Sequence, residues 1–237
     1  MQPYGILTTH RTRPTIAPGQ EPRLLLVGGG GHAAGVVEAA QLGHLVVVGV
    51  LDDAPEPSVC EDPFNIPRTG AVDDLDRLGR LERDRPGGCD GWILGIGDVK
   101  LRRRVLGSVA EAAERGYTII HPSAIVSPSA TIGRGVFIGP GAIIHSRASV
   151  HDHTIINSGA VVEHDCVVGE NSHVAPGAVV GGYVRIGCDT LVGLGSRVLP
   201  GVRIGNATVV GAGAVVRHQV SDGEIVVGVP AGPLTKV

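Results

Sequence analysis

The chain has 237 residues, a formal net charge of −3 and 37 glycines, with aromatic residues at only 3%. That length holds one large or two ordinary domains, and the charge leaves no basic footprint for nucleic acid. No apolar run is long enough to cross a bilayer, and Cys60, Cys89, Cys166 and Cys188 show neither a C-x-x-C pair nor metal-ligand spacing, so a cytoplasmic protein without metal is expected.

Residues 1–22 are rich in Thr, Arg and Pro and lack the apolar core of a secretory signal; they are expected to form a poorly ordered extension. Leu24 to Val27 then reads as a buried parallel strand that runs into Gly28-Gly29-Gly30-Gly31-His32, with Ala33 to Gln41 helical in composition. A strand, a glycine turn and a helix start make a phosphate-binding unit, because glycine lets backbone approach the ligand and the helix offers free N–H groups. Leu45 to Leu51 is a second strand ending at Asp52-Asp53, about twenty residues beyond the glycines, where such folds hold a ribose or base. Val72 to Leu81 reads as a short helix, Trp92 to Gly97 as a third strand, and Leu101 to Arg115 as a helix with apolar residues at three- and four-residue spacing. Within it Arg102-Arg103-Arg104 reads as a solvated face, with a phosphate contact as the alternative. Residues 23–119 thus predict a small Rossmann-like α/β domain for one nucleotide, whose site includes Gly28, Gly31, His32, Asp52, Asp53 and Gly97.

Residues 120–237 follow with no linker, which predicts that the two domains pack together. From Val126 to Val216 an Ile or Val returns at every sixth position without a slip, a small residue or valine stands two before each, and Gly often follows. This is the period of a hexapeptide β-helix, in which each hexad supplies one short strand and one corner and stability comes from burial between stacked coils. After Val216 the period ends, with a turn at Ser221-Asp222-Gly223 and a last extended segment from Ile225 to Pro230.

His145, His151, His153, His164 and His173 crowd into the repeat, none on an inward column, so each is expected to face outward or toward a corner. A histidine at such a corner is ordinarily a solvated polar residue. His164 differs because Glu163 and Asp165 flank it, and a carboxylate that orients an imidazole makes a general base. With eighteen residues per coil, Gly182 lies one coil beyond His164, where it is expected to leave room for a ligand and an N–H for a developing oxyanion. Cys166 sits on the small inward column, so packing rather than nucleophilic chemistry is its expected role.

The run Asn157-Ser158-Gly159-Ala160-Val161-Val162-Glu163-His164-Asp165-Cys166, then His173-Val174-Ala175-Pro176-Gly177 and Gly228-Val229-Pro230-Ala231, resembles the bacterial sugar O/N-acetyltransferases. Gly31-His32 and Asp52-Asp53 resemble them too, and the likeness covers about residues 23 to 233. The family comprises sialic acid O-acetyltransferases and nucleotide-amino-sugar N-acetyltransferases. It implies a left-handed coil of three hexads per turn, a homotrimer, and acetyl-CoA as co-substrate. It further implies His164 as base, Asp165 as its orienting acid, His173 at the acetyl end of the donor, and Gly182, Leu194 and Ala212 along the CoA channel between subunits. Asp165 departs from members that carry Glu, and its shorter arm leaves its contact open.

The function expected is therefore N-acetylation of a nucleotide-linked amino sugar, with the sugar reaching Asn157, Glu163 and His164. Sialic acid or other sugar O-acetylation is the alternative. A zinc site of the kind found in a related hexapeptide carbonic anhydrase lacks its ligand spacing here. A non-catalytic structural subunit leaves the nucleotide-like domain and the Glu163-His164-Asp165 run without a role.

Overall fold

The structure, a computed structural model, describes residues 20–75, 88–109 and 113–234. The expected extension up to residue 19 lies outside the described residues, as do 76–81 of the second expected helix and 110–112 of the last.

The first domain is built from β1 (Arg23–Val27), α1 (Gly31–Leu42), β2 (Val46–Leu51), β3 (Arg68–Gly70), β4 (Gly91–Leu94) and α2 (Val99–Ser108). The four strands form one parallel sheet in the order β3-β2-β1-β4. Alternate residues of β1 explain its continuous apolar run: Leu24 and Leu26 pack with Ala33, Val36 and Val37 of α1, while Leu25 and Val27 pack with Trp92, Val105 and Leu106. The sequence gives no sign of β3, an exposed Arg-Thr-Gly edge with no apolar residue to mark it.

The hexads fold as the period requires. Two-residue strands recur every six residues from Ile119–Ile120 to Val215–Val216 and stack into three parallel sheets. Val150, Val168, Ile186 and Ile204 pair in register eighteen residues apart, which fixes three hexads per turn. The result is a three-sided parallel β-helix, of the left-handed kind. A first face carries the strands of Phe137, Ile155 and His173, a second those of Ile143, Val161 and Val179, and a third those of Ser149, Val167 and Arg185. The sixfold-repeated Ile and Val fill the interior. Inward hydroxyls are not orphaned: Thr154, Ser172 and Thr190 donate to the carbonyls of Gly169, Gly187 and Gly205 on the next coil. Past Val216 the coil shortens, and Ile225–Val227 pairs with the strand of Val209.

The corners share one backbone device. From Gly135 to Gly213, the residue three after each inward Ile or Val has positive φ, between 51° and 74°. Along the corner from the first to the second face all are glycine: Gly141, Gly159, Gly177, Gly195 and Gly213. The second-to-third corner instead carries Arg147, Asp165 and Tyr183 before Gly201, and the third-to-first carries His153, Asn171, Asp189 and Ala207 after Gly135. A side chain in this conformation costs an L-residue about 1–2 kcal/mol, so its retention there points to what the side chain does.

The first domain sits on the first face, with Phe137 and Ile155 packed into the same cluster as α1. No described helix is long and apolar enough to cross a membrane.

Candidate active site

The second-to-third corner holds the expected base. Asp165 Oδ2 lies 2.8 Å from His164 Nδ1, and the carboxylate also takes both Nε and Nη2 of Arg147, each at 2.7 Å, from the preceding coil. Arg147 and His164 together hold the Asp165 carboxyl well below the usual carboxylate range, the Arg147 hydrogen bond being the largest cause. An ionised carboxylate only accepts, so His164 carries its hydrogen on Nδ1 and presents Nε2 as a proton acceptor. Of the two flanking acids, Asp165 alone reaches the ring; Glu163 accepts from the His164 backbone N–H at 3.4 Å. Asp165, at a corner position with φ of 59°, makes this contact with its short arm.

Gly182 lies against the ring. A Cβ there would stand 2.7 Å from His164 Nε2, so the missing side chain makes room for the imidazole. Its N–H has no acceptor among the described residues. Tyr183 follows, its ring edge-on to His164 at 5.1 Å, and His145 approaches from the preceding coil at 6.4 Å.

A second group lies on the opposite side of the prism, where the first domain meets the coils. His173 Nδ1 donates to Gly97 O at 3.1 Å, and its Nε2 then accepts from Asn157 Nδ2 at 3.1 Å; Ser158 N–H on Asn157 Oδ1 orients that amide. His153 is buried, not a solvated corner residue: Trp92 stacks on its ring at 5.4 Å, and it nests against Gly116 and Gly135. Burial lowers His32, His153 and His173 to about 4 each, and Arg102 adds to it in all three.

The arginine run is likewise no solvated face. Arg102 is 1% exposed, and Arg103 donates to Asp189 at 2.7 Å and Glu170 at 2.8 Å across the seam; among the three, Arg104 alone is exposed. Asn171 completes the joint, donating to Val99 O and Asp189 Oδ1. Local sequence carries no signal for the contacts of Arg103 and Val99 across the seam, since their partners lie 67 to 86 residues away.

Gly28, Gly31, His32, Asp52, Asp53 and Gly97 line a cavity of about 410 Å³ at the carboxyl ends of β1 and β4. α1 starts at Gly30 with no side-chain cap, and Gly30 and Gly31 face open space, so the helix N–H groups are available to an anion. Asp52 first serves the turn, accepting from Gly29 N at 2.6 Å and Ala54 N at 2.7 Å; Asp53 accepts from Val72 N at 3.1 Å and is exposed. His32 reaches from the cavity to the coils, edge-on to Phe137 at 5.3 Å.

A larger cavity of about 690 Å³ shares Gly97 and Asp98 with the first. His173, Ala175, Leu191, Leu194 and Val209 give it an apolar floor, and Lys100 and Arg103 a basic rim. Ala212 lies outside it, next to Leu194 through the bond from Gly213 N to Leu194 O at 2.7 Å. Gly182 stands apart from both, beside His164, so His173 and the three residues expected along the CoA channel do not meet in one cavity of a single chain. Among the described residues no cluster of His, Cys, Asp and Glu is placed to hold a metal.

Known proteins match both halves of the chain. Residues 23–109 match the PglD N-terminal domain, and 147–182 and 183–218 match the bacterial transferase hexapeptide (six repeats). GDP-perosamine N-acetyltransferase from Caulobacter crescentus, solved with CoA and GDP-perosamine, is 34% identical, with 90% of this chain and 97% of that one covered and a TM-score of 0.81. The acetyltransferase domain of PglB from Neisseria gonorrhoeae FA1090, solved with acetyl coenzyme A, is 31% identical over 91% of this chain and 100% of that one, with a TM-score of 0.80. WeeI from Acinetobacter baumannii AYE, 22% identical over 89% of this chain and 99% of that one, shares the fold with a TM-score of 0.73. No curated protein matches the sequence.

Proposed function

The chain belongs to the bacterial sugar acetyltransferases that join a PglD-type domain to hexapeptide repeats, and we propose that it transfers acetyl from acetyl-CoA to the amine of a nucleotide-linked amino sugar with His164 as general base. The observation that carries the reading is the His164–Asp165 pair, hydrogen-bonded at 2.8 Å with Nε2 beside the unclaimed N–H of Gly182. The amine nitrogen attacks the thioester carbon, and a C–N bond forms as His164 Nε2 takes a proton from that nitrogen. The Gly182 N–H donates to the oxyanion that develops. The C–S bond then breaks, and the imidazolium gives its proton to the leaving thiolate. The amide product and free CoA balance the reaction.

In this reading the diphosphate sits on the N-terminus of α1, His32 meets the sugar, and Asp52 and Asp53 border the nucleoside. The pantetheine arm follows the glycine-only corner past Leu194 and Ala212, with His173 and Asn157 near its acetyl end. N-acetylation is favoured over O-acetylation because the Caulobacter relative is a perosamine N-acetyltransferase that holds an amino-sugar nucleotide and CoA together. A cytoplasmic reaction is consistent with a multiply charged donor that does not cross a bilayer unaided.

One chain alone leaves this site in two halves. His164 lies on the second-to-third corner, whereas the nucleotide cavity, His173 and Asn157 lie on or beside the first face. A homotrimer supplies the missing half. The outward row of the second face is Ile125, Ile143, Val161, Val179, Arg197 and Val215, and Ile125 is 63% exposed. The corresponding row of the third face is Thr131, Ser149, Val167, Arg185 and Arg203. Packing second faces around a threefold axis buries the apolar row. It also sets the glycine corner of one copy beside the His164 corner of the next.

The test is a thiol-release assay against a panel of nucleotide-linked amino sugars, with sedimentation at the assay concentration. CoA release with one of them, from a trimer, is expected. Turnover of free sialic acid alone would move the assignment to O-acetylation, and an active monomer would remove the shared site.

A further inference from the structure

We propose that Arg147 is a positioning residue for the acetyl transfer: it clamps the Asp165 carboxylate in the one orientation that holds the His164 ring against Gly182. The inference rests on the reading of His164 as the base. Asp165 Oδ1 is taken by Arg147 Nε at 2.7 Å, while Oδ2 is shared between Arg147 Nη2 at 2.7 Å and His164 Nδ1 at 2.8 Å. Two parallel bonds to one guanidinium fix the plane of the carboxylate as well as its place. Without them, the carboxylate can rotate about its Cβ–Cγ bond, and the single bond to His164 does not resist that rotation.

Three further observations separate this arrangement from an ordinary surface ion pair, which is worth little. Arg147 occupies a corner position with φ of 57°, where the first-to-second corner has glycine throughout, so a long side chain is kept at conformational cost. Its own backbone N–H is held by Ser129 Oγ at 3.1 Å, which anchors the arginine to the coil below. Its target is the acid that orients the base, so disorder in Arg147 passes directly to the ring that takes the proton. The geometry also accounts for an aspartate next to the base: its short arm leaves few rotamers, and the guanidinium from the coil below selects among them. Arg147, Asp165 and Tyr183 then form one column, with the His164 ring resting between the last two.

The experiment compares the wild-type enzyme with Arg147→Met and Arg147→Lys, reading three quantities. Arg147→Met is expected to lower kcat by roughly 10–100-fold, the range for lost outer-shell partners, while KM for acetyl-CoA stays within about twofold, because the side chain reaches no substrate. Arg147→Lys restores the charge but not the paired bonds and is expected to recover only part of that loss. Nitrogen-15 NMR of the His164 ring supplies a readout independent of turnover: the hydrogen resides on Nδ1 in wild type, and a mixture of tautomers appears in Arg147→Met. Melting curves show whether Arg147→Met folds, and if it does not, Arg147→Lys with the NMR measurement decides.

Full kcat in Arg147→Met, or full recovery by lysine, overturns the positioning role, as does an unchanged tautomer. A wild-type protein without transferase activity overturns instead the functional reading on which the proposal rests. The NMR comparison then still decides whether Arg147 sets the state of the His164 ring.

Discussion

Two corners of the prism place side chains at the same strained backbone position, and they do so for opposite ends. On the third-to-first corner His153, Asn171 and Asp189 lie under the first domain, where they fix the docking of α2 and Trp92. On the second-to-third corner Arg147, Asp165 and Tyr183 lie clear of the first domain, around an imidazole whose side chain is 42% exposed within one chain. The backbone is the same, so the difference lies in what covers each corner. Histidines under the first domain lose their charge to burial and serve as neutral struts; His164 instead keeps a carboxylate partner in Asp165.

The largest effect that separates the corners is kinetic. His164→Ala is expected to lower kcat by ~10²–10⁴-fold and leave the melting temperature nearly unchanged, since the side chain is 42% exposed and lies outside the aliphatic interior. Full activity in that variant ends the proposed mechanism.

Acid tests the seam between the first domain and the coils. His32, His153 and His173 titrate near 4 in the fold and near 6.5 when unfolded, so the unfolded chain binds more protons between those values. Stability is therefore complete above about pH 6.5 and falls as the pH drops toward 4, by up to roughly 3 kcal/mol per histidine. Trp92, the chain's single tryptophan, stacks on His153 and reports the seam directly. Its fluorescence in urea melts from pH 8 to 4 is expected to show a midpoint falling below about pH 6.5; a flat midpoint would mean that these rings are hydrated.

His173→Ala removes a contact that belongs to both the seam and the proposed donor site. It leaves Gly97 O and Asn157 Nδ2 without their partner, which costs ~1–3 kcal/mol, and KM for acetyl-CoA is expected to rise together with a fall in kcat. A change in stability with unaltered kinetics would confine His173 to the seam. The smallest effect is expected from Arg103→Met, whose ion pairs with Glu170 and Asp189 are about two-fifths exposed on the arginine side. Such pairs contribute under about 1 kcal/mol, so urea melts should barely move.

The sequence makes the prism legible because one inward residue per hexad suffices to fix the coil, and Val150 to Ile204 pair as that period requires. His164 is legible because its orienting acid is its neighbour in the chain. Arg147 and Tyr183 are not neighbours, yet both lie eighteen residues from Asp165, so counting along the coil finds them once a corner has been chosen. The seam has no such rule. Arg102 and Arg103 look like surface charge until a second domain covers them, and Asp189 and Glu170 pair with α2 at distances in sequence that no periodicity links. That His164 lies away from the first domain is hidden for a related reason: the hexad period says which residues share a corner but not which face the first domain covers.

The central claim is that base and nucleotide cavity act from different copies of the chain, and subunit mixing tests it most directly. Gly31→Asp puts a carboxylate at the N-terminus of α1, in open space where it repels a phosphate without a clash. That variant and His164→Ala are each expected to be inactive alone. Unfolded together and refolded as mixed trimers, they should recover about a quarter of wild-type activity, because a quarter of the shared sites then draw an intact base from one copy and an intact cavity from its neighbour. Mixed trimers as inactive as either parent would contradict the shared site.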